Sequence, residues 1–539
     1  MLSNEEQLAQ DLITADEHLQ QGNFQAAFNI YLSLLNNVKT SPEIFNNAAI
    51  CAYQLNLQDE TLRLIRQAIS LEPDNPWYLT QYAQFVAYNF IKADELFNQA
   101  LELAVKDRTL EKYNKIQNIN YSTVVLDQIK NCYADFLFNH GCHLAKDEST
   151  EQQQNAIELF TKSLSYNSAL FKAAYNIACC YINLNDLSNA LHYLEKTIEI
   201  NPNHSQAHFA LSQYYQQHNN LEAAEKHLQK SLLSDNINKA NAEYNYGVLE
   251  QKRLNYQAAL DHYVRCLTIN PEHFAACYNS ASIYHRLKNI DTAVNFYKKA
   301  LIIKPNDRSC LYLLASLTNN RDQNITQAPL EYVENLFDSY AEKFDHELTN
   351  NLEYLTPQYL YTLVVEYVSS INKLNILDLG CGTGLSGQLF QELAHTLTGV
   401  DISAKMLEQA HSKNIYHNLI KSDINLYLQS RLKQINHLYD LIIMADVLVY
   451  YGELNKVMLD VKNNLSPHGY VVFSIELDTE SNVSQNYKLQ DNGRFVHSTA
   501  YIEQLMRESS LKIIATQELK LRKQNNSYVP GAICLVQNS

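Results

Sequence analysis

The feature that most constrains the fold is a 34-residue period in residues 1–320. An alanine recurs at steps of 34, 34, 35 and 34 residues, and a bulky apolar residue follows each alanine four positions later. A small residue comes seven positions after the alanine, and proline ends several of the units. These spacings put the three side chains on one helix face, which predicts helices that pack closely in pairs. The alanines are Ala156, Ala190, Ala224, Ala259 and Ala293.

This period, with its code of small and large residues, resembles the tetratricopeptide repeat (TPR). The resemblance implies roughly eight helix pairs that stack into an all-α superhelix with a concave groove. It also implies a protein or peptide as the ligand of that groove, with side chains such as Tyr175 and Asn245 as candidates to line it. A step of 63 residues between Ala93 and Ala156 breaks the period. We therefore expect a long linker or an atypical repeat over residues 106–154.

The chain changes character after the array. Segment 321–330 is polar and has no periodicity, which predicts a linker. In residues 331–539, apolar segments of strand length alternate with helical segments, which predicts a doubly wound α/β sheet. The predicted fold class is therefore α + α/β, with the TPR superhelix first and a Rossmann-like domain second.

A glycine-rich stretch, Ile376-Leu-Asp-Leu-Gly-Cys-Gly-Thr-Gly384, follows the first predicted strand of this sheet. Glycine allows the backbone to approach a ligand closely, so the turn predicts a binding site at the carboxyl end of the strand. Asp401 ends the next predicted strand, 21 residues after Gly380. A carboxylate in that position is placed to accept hydrogen bonds from ribose hydroxyls.

Two cofactor classes fit this geometry. Gly382-x-Gly384-x-x-Gly387 satisfies the dinucleotide fingerprint. Asp378-x-Gly380-x-Gly382-x-Gly384 instead resembles the turn of class I S-adenosylmethionine-dependent methyltransferases. The carboxylate favours the second interpretation, because it repels pyrophosphate and tolerates an ammonium or sulfonium group. A strand–turn–helix without any ligand is the third possibility.

Three further strings extend the resemblance to a subgroup. They are Phe337-Asp-Ser-Tyr-Ala-Glu-Lys-Phe-Asp345, Ala445-Asp-Val-Leu-Val-Tyr450 and Gly493-Arg-Phe-Val-His-Ser498. With the repeats and the glycine turn, they resemble bacterial TPR-containing class I methyltransferases. The resemblance implies methyl transfer from S-adenosylmethionine to an acceptor that it does not identify. The alternative is a TPR scaffold or adaptor whose α/β domain binds S-adenosylmethionine without turnover.

The resemblance also implies roles for particular residues. The Phe337–Asp345 string is expected to form a lid over the cofactor. Cofactor contacts are expected from this lid, the glycine turn and the ends of the next three strands: Tyr340, Phe344, Asp378, Gly380, Cys381, Gly382, Gly384, Asp401, Ile402, Asp423, Ile424 and Ala445. Candidates on the acceptor side follow the fourth strand or precede the last helix: Asp446, Tyr450, Tyr451, Arg494 and His497. Methyl transfer depends mainly on positioning, and a general base is needed only for an acceptor that holds its proton tightly.

Composition limits the partners and the compartment. The formal net charge is −16, with −8 on each side of residue 330, so neither part has the basic character typical of nucleic-acid binding. The ten cysteines contain no Cys-x-x-Cys pair, which predicts reduced thiols, no metal site and a cytoplasmic location. We find neither a signal peptide nor an apolar stretch of membrane-spanning length, and we expect no membrane association.

Overall fold

The computed structural model describes residues 4–37, 40–106, 121–232, 238–318, 325–348, 352–368, 373–432, 438–479, 486–524 and 527–538. It divides into two compact units, residues 1–255 and 256–539. All ten cysteines carry free thiols. No helix within the described ranges is both long enough and apolar enough to cross a membrane.

The described part of the first unit is helical throughout. Its helices are α1 (Asn4–Gln20), α2 (Phe24–Asn37), α3 (Pro42–Gln54), α4 (Gln58–Leu71), α5 (Pro76–Phe85), α6 (Phe90–Lys106), α7 (Tyr121–Leu144), α8 (Thr150–Tyr166), α9 (Phe171–Asn183), α10 (Leu187–Ile200), α11 (Ser205–Gln217), α12 (Leu221–Ser231) and α13 (Lys239–Lys252). Residues 107–120 of the predicted atypical segment lie outside the described residues. The helix that follows them, α7, is 24 residues long.

The repeat positions lie where the period predicts them. Ala156 and Phe160 are fully buried on α8, and Gly141 on α7 packs against the Phe160 ring so closely that a Cβ would lie 2.7 Å from it. In the repeats that contain Ala190 and Ala224, a tight turn joins the two helices. Each turn contains one residue in the left-handed region, Asn185 (φ 58°) or Asn219 (φ 57°). Asparagine tolerates this conformation better than most residues. The small residues thus allow close helix packing, as predicted.

The second unit begins with helices that continue the repeat. These are α14 (Tyr256–Ile269), α15 (Phe274–Arg286), α16 (Ile290–Ile303) and α17 (Arg308–Thr318). Three helices precede the sheet: α18 (Leu330–Tyr340), α19 (Phe344–His346) and α20 (Thr356–Tyr367). The helices of the sheet region are α21 (Leu385–Phe390), α22 (Ala404–Ser412), α23 (Ile424–Arg431), α24 (Asn455–Asn463) and α25 (Thr499–Glu508).

Among the described residues, seven strands form one sheet in the order β3-β2-β1-β4-β5-β9-β8. The strands are β1 (Leu374–Leu379), β2 (Ala394–Asp401), β3 (Asn418–Lys421), β4 (Tyr439–Met444), β5 (Leu465–Glu476), β8 (Leu511–Gln524) and β9 (Ser527–Asn538), and a separate hairpin holds β6 (Tyr487–Leu489) and β7 (Phe495–His497). Strands β1 to β5 pair in parallel, whereas β9 pairs antiparallel with β5 and β8. The predicted fold class is confirmed, and an antiparallel hairpin, β8–β9, ends the sheet.

Both faces of the sheet are covered because its central strands are apolar on both sides. Ile376 of β1 packs with Leu360 and Val364 of α20. Its neighbour Leu377 points to the opposite face and belongs to a second cluster, which also contains Tyr297 and Tyr312 of the repeat helices. The last repeats and one face of the sheet therefore share a continuous core.

Polar contacts join the last repeat to the β6–β7 hairpin. The Tyr312 hydroxyl donates to the Gly493 carbonyl at 2.8 Å, and its ring lies 5.2 Å from that of Tyr332. His285 Nε2 lies 2.6 Å from the carbonyl oxygen of Asp491. The compact unit thus begins at Tyr256 and includes repeat helices, whereas a boundary in the 321–330 segment stays a sequence prediction.

The described part of the predicted linker pairs with the segment after β4. The Thr326 carbonyl accepts N–H groups from Gly452 (2.8 Å) and Glu453 (3.0 Å). The Ala328 N–H donates to the Tyr450 carbonyl at 2.8 Å. Residues 321–324 lie outside the described residues. The described part of this polar segment is therefore held by backbone hydrogen bonds, next to the cavity described below.

We predict that the fragment 256–539 folds and that 331–539 is less stable. The shorter fragment lacks the helices that cover Tyr332 and the hydrogen bond from Tyr312 to Gly493. Thermal melts followed by circular dichroism should show a lower midpoint for 331–539. Within the longer fragment, Tyr312→Phe removes the hydrogen bond alone and should cost about 1 kcal/mol. Equal midpoints for the two fragments would contradict the shared core.

Candidate active site

A cavity lies at the carboxyl ends of the parallel strands, between the glycine turn and helices α18 and α19. Most of the predicted site residues line it: Phe344, Gly380, Cys381, Gly382, Asp401, Ile402, Asp423, Ile424, Ala445, Asp446, Tyr450, Tyr451 and Arg494. The sequence analysis did not single out other lining residues, which include Phe337, Tyr354, Thr383 and Arg522. The fold thus brings together residues that are distant in sequence, as this sheet topology predicts.

Four predicted residues do not line the cavity. Tyr340 ends α18 and is half-buried. Gly384 caps α21 in the left-handed conformation, with φ 89°. Asp378 and His497 are buried, and each is hydrogen-bonded to a group outside the cavity wall or to the backbone, as shown below. The structure therefore separates these four positions from the cavity wall.

The glycine turn adopts a backbone that requires glycine. Gly380 and Gly382 have φ values of 67° and 53°, which side chains disfavour. A Cβ at Gly380 would lie 2.5 Å from Val447 Cγ2. A Cβ at Gly382 would have Phe344 of the lid as its nearest neighbour, at 3.9 Å. The turn is thus packed on one side and open toward the cavity on the other, as a cradle for a ligand requires.

Asp401 holds the turn to the end of β2. Its Oδ2 accepts the Gly382 N–H at 2.9 Å, and its Oδ1 accepts the Ser403 N–H at 2.8 Å. Burial raises the pKa of Asp401, while these two N–H groups act in the opposite direction. The carboxylate is therefore fixed in orientation at the cavity wall.

Asp423 begins helix α23 at the end of β3. Its Oδ1 accepts the Leu426 N–H at 2.9 Å, so it is the N-cap of this helix. Both Asp423 and the following Ile424 also line the cavity. A helix N-cap can thus also lie at the cavity wall.

Asp378 faces Tyr416 behind the turn. The Tyr416 hydroxyl donates to Asp378 Oδ2 at 2.6 Å. Burial raises the pKa of Asp378 to about 7, with a hydrogen bond from Tyr416 that lowers it and a nearby Asp401 that raises it. A Cβ at Gly387 would lie 2.3 Å from the Tyr416 hydroxyl. The third glycine of the dinucleotide fingerprint therefore makes room for a tyrosine that supports the turn.

Two aspartates anchor the lid, which we define as Leu330–Tyr340 and Phe344–His346. Asp338 accepts a hydrogen bond from Ser403, the N-cap of α22. Asp345 accepts one from Thr383 in the glycine turn and pairs with Lys413 Nζ at 2.6 Å. The sequence analysis quoted both acids in the Phe-Asp string without assigning them a function. They lie on two helices separated by a turn, so no helical spacing in the sequence pairs them.

The far end of the cavity holds a network of buried charges. Arg522 of β8 donates to Asp446 Oδ2 at 2.7 Å and also to Glu476 Oε1. Arg494 donates to the same Glu476 oxygen at 3.0 Å, and the Ser474 hydroxyl donates to Asp446 Oδ1 at 2.9 Å. Burial raises the pKa of Glu476, but the two arginines outweigh it and keep this pKa below its ordinary value. Both carboxylates are therefore paired.

His497 is fully buried on β7. Its Nε2 lies 2.9 Å from the Tyr451 carbonyl and 3.2 Å from the Gly452 carbonyl, so this nitrogen carries the proton and donates. Burial lowers the pKa of His497 to about 4, although both carbonyls raise it. In this arrangement the histidine fixes the backbone of the segment after β4.

The described residues contain no group of three or more His, Cys, Asp or Glu side chains that could hold a metal ion. The chemistry of the cavity wall is thus that of apolar surface, backbone amides, carboxylates and two arginines.

Comparison with known protein families gives matches in both units. A family model described as "Methyltransferase domain" matches residues 371–525. Three tetratricopeptide repeat models match residues 171–204, 193–226 and 250–317. The chain carries a methyltransferase domain behind tetratricopeptide repeats. These matches confirm the predicted combination of repeats and a methyltransferase domain, with S-adenosylmethionine as the cofactor.

Curated relatives of the methyltransferase domain differ in the acceptors that their names give. A ubiquinone biosynthesis O-methyltransferase of Rickettsia canadensis is 29% identical over 119 residues, which are 22% of this chain and 49% of the relative. A malonyl-[acyl-carrier protein] O-methyltransferase of Buchnera aphidicola is 27% identical over 115 residues, which are 21% of this chain and 43% of the relative. The chain thus spans about half the length of the curated relatives it matches.

Part of the chain is also similar to a solved structure. Magnesium protoporphyrin IX methyltransferase from Synechocystis PCC 6803, with bound SAH, is 18% identical. The alignment covers 39% of this chain and 99% of that protein, with a TM-score of 0.31.

We predict that Asp378 makes stability depend on pH. Its pKa is about 7 in the folded domain and about 3.9 in the unfolded chain, so between these values the folded state binds a proton that the unfolded state releases. Its contribution to stability therefore decreases as the pH rises from about 4 to about 7. The free energy of unfolding of Asp378→Asn, relative to that of the natural chain, should therefore be higher at pH 8 than at pH 4, by up to about 4 kcal/mol. Thermal melts of both proteins at the two pH values measure this, and an equal difference at both would exclude titration of Asp378.

Proposed function

We propose that this protein transfers a methyl group from S-adenosylmethionine to an acceptor bound at the far end of the cavity. The observation that supports this most directly is the position of Asp401. Its carboxylate lies at the cavity wall, bonded to the glycine turn, at the end of the strand next to that turn. This is where a class I methyltransferase holds the ribose of its cofactor, according to the resemblance stated above.

Other lining residues suit the remaining parts of the cofactor. Asp423 would accept the adenine amino group, with Ile402 and Ile424 against the ring. Phe344 would cover the cofactor from the lid, opposite Gly382. When bound, S-adenosylmethionine supplies a methyl group on a sulfonium, which needs no further activation. The domain itself contributes binding, orientation and exclusion of water.

We propose that the repeat array binds a protein or peptide. The aromatic residues of the repeats are largely committed to packing, since Tyr31, Tyr133, Tyr263 and Tyr297 are fully buried. Of the groove candidates, Asn245 is buried, whereas the half-buried Tyr175 contacts the His204 ring in a tilted arrangement with a centroid distance of 4.7 Å.

We predict that Asp401→Ala weakens S-adenosylmethionine binding by about 100-fold, because it removes a carboxylate that would accept hydrogen bonds from the two ribose hydroxyls. Isothermal titration calorimetry on the full chain measures this. Asp440→Ala is the matched control. Asp440 lies at the opposite end of the sheet, where it accepts the Asn375 N–H at 2.9 Å and the Ser466 hydroxyl at 3.0 Å.

The control separates loss of ligand binding from loss of stability. Each variant loses an aspartate that accepts a backbone N–H and a second hydrogen bond. Asp440→Ala should therefore lower the melting temperature and leave the affinity for S-adenosylmethionine within about twofold of the natural chain. If the two variants weakened binding equally, Asp401 would not be a ribose ligand.

Turnover distinguishes the enzyme from the alternative, a scaffold that binds S-adenosylmethionine without using it. We predict that the full chain transfers labelled methyl groups into a fractionated bacterial lysate and that Asp401→Ala does not. Label in the protein fraction would point to a substrate recruited by the repeats, and label in the small-molecule fraction to an acceptor bound by the cavity alone. Retention of partners by the array with no label in any fraction would favour the scaffold.

A further inference from the structure

Arg494 is a cation at the far end of the cavity whose hydrogen-bonding capacity is largely unused. Its side chain is 26% exposed, compared with 4% for Arg522. Within the described ranges its guanidinium donates once, to Glu476, and lies 5.8 Å from the ring centroid of Tyr450. Arg522, in contrast, donates to both Asp446 and Glu476. A guanidinium has five N–H donors in a planar fork that matches a carboxylate.

The described lining residues do not provide a general base beside Arg494. Both oxygens of Asp446 accept hydrogen bonds, one from Ser474 and one from Arg522. Burial raises the pKa values of Tyr354 and Tyr451, so both keep their protons at neutral pH. An acceptor that must first lose a proton, such as an ammonium group or an alcohol, is poorly served here. A carboxylic acid is already ionised at neutral pH.

The cavity that Arg494 lines also has many apolar side chains. Leu330 and Val333 come from the lid, and Leu348, Leu352, Tyr354 and Pro357 come from the chain between the lid and the first turn of α20. A ligand that places a carboxylate against Arg494 therefore has an apolar environment for the rest of its body. The sulfonium of the proposed cofactor adds a positive charge, which favours an anionic acceptor next to it.

We propose that Arg494 binds the carboxylate of the methyl acceptor, and that this acceptor is a carboxylic acid with an apolar body that becomes a methyl ester. The proposal rests on the methyl-transfer function proposed above. One carboxylate oxygen attacks the methyl carbon, so that a carbon–oxygen bond forms and the carbon–sulfur bond breaks. The electron pair of the broken bond stays on sulfur, and no proton is released. The step therefore needs neither a base nor a further reactant.

The product is tested by its lability to alkali. The full chain is incubated with methyl-labelled S-adenosylmethionine and octanoate, phenylacetate or a small-molecule extract of bacterial cells, with octanol as the uncharged control. Methyl esters release volatile labelled methanol in alkali, whereas methyl ethers and methylamines do not. We expect alkali-labile label with a carboxylate or with the extract and none with octanol. Only alkali-stable label, or no label in any of these incubations, would overturn the proposal.

Binding tests the part assigned to Arg494 without turnover. Octanoate and phenylacetate are titrated by calorimetry into the full chain with saturating S-adenosylhomocysteine. Arg494→Gln should weaken the binding of at least one acid by about tenfold or more and leave S-adenosylmethionine affinity within about twofold. Arg494→Lys keeps the charge but not the planar fork of donors, so its affinity for the acid should lie between those of the natural chain and Arg494→Gln. Equal affinity in the natural chain and in Arg494→Gln, or no binding of either acid, would overturn the proposal.

Two controls keep these outcomes separate. Glu476 retains Arg522 as a partner when Arg494 is replaced, so the variant is not left with an unpaired buried charge. If Arg494→Gln nevertheless fails to fold, the folded Arg494→Lys decides in its place. Arg507→Gln, on the exposed face of α25, should change neither affinity. Failure of the proposed function would show as no transfer of label into any fraction of the lysate, whereas failure of this proposal alone would show as transfer that yields no alkali-labile label.

Discussion

Asp401 is the constraint on which the cavity depends. One carboxylate accepts N–H groups from the glycine turn after β1 and from the residue that caps α22 after β2. The lid is fixed to the same two places, because Asp338 bonds to Ser403 and Asp345 bonds to Thr383. The wall, the turn and the cover of the cavity are thus connected through a few hydrogen bonds that centre on one strand end.

The acids at the four strand ends each have a partner in the protein as well as a place near the site. Asp378 accepts from a tyrosine, Asp401 from two amides, Asp423 from the first turn of a helix, and Asp446 from a serine and an arginine. Buried carboxylates require such partners to remain in the fold. Their function at the cavity therefore depends on hydrogen bonds that also stabilise the domain, and a substitution there affects both.

Patterns that are local in sequence predicted the local features of the structure. The 34-residue period fixed the repeats, and apolar strand segments with the glycine turn predicted the sheet and the floor of the cavity. Contacts between distant segments were not predictable in this way. Arg522 reaches Asp446 across 76 positions, and nothing near Arg522 in the sequence marks it as a cavity residue. His497 looked like a titratable group, but its two carbonyl partners depend on how β7 lies against the segment after β4. The shared core of the last repeats and the sheet likewise follows from tertiary packing, which a polar linker segment does not reveal.

The attachment of Tyr312 to Gly493 has a consequence for how such chains recombine. Gly493 precedes Arg494, so a helix of the repeat array helps to set the loop that carries an arginine of the cavity. Gene fusions that exchanged one array for another at the polar segment would place foreign helices against this loop. Crossovers upstream of Tyr256 would leave the loop with its own support, and those are the junctions at which new arrays can be joined to this catalytic body with the least disturbance.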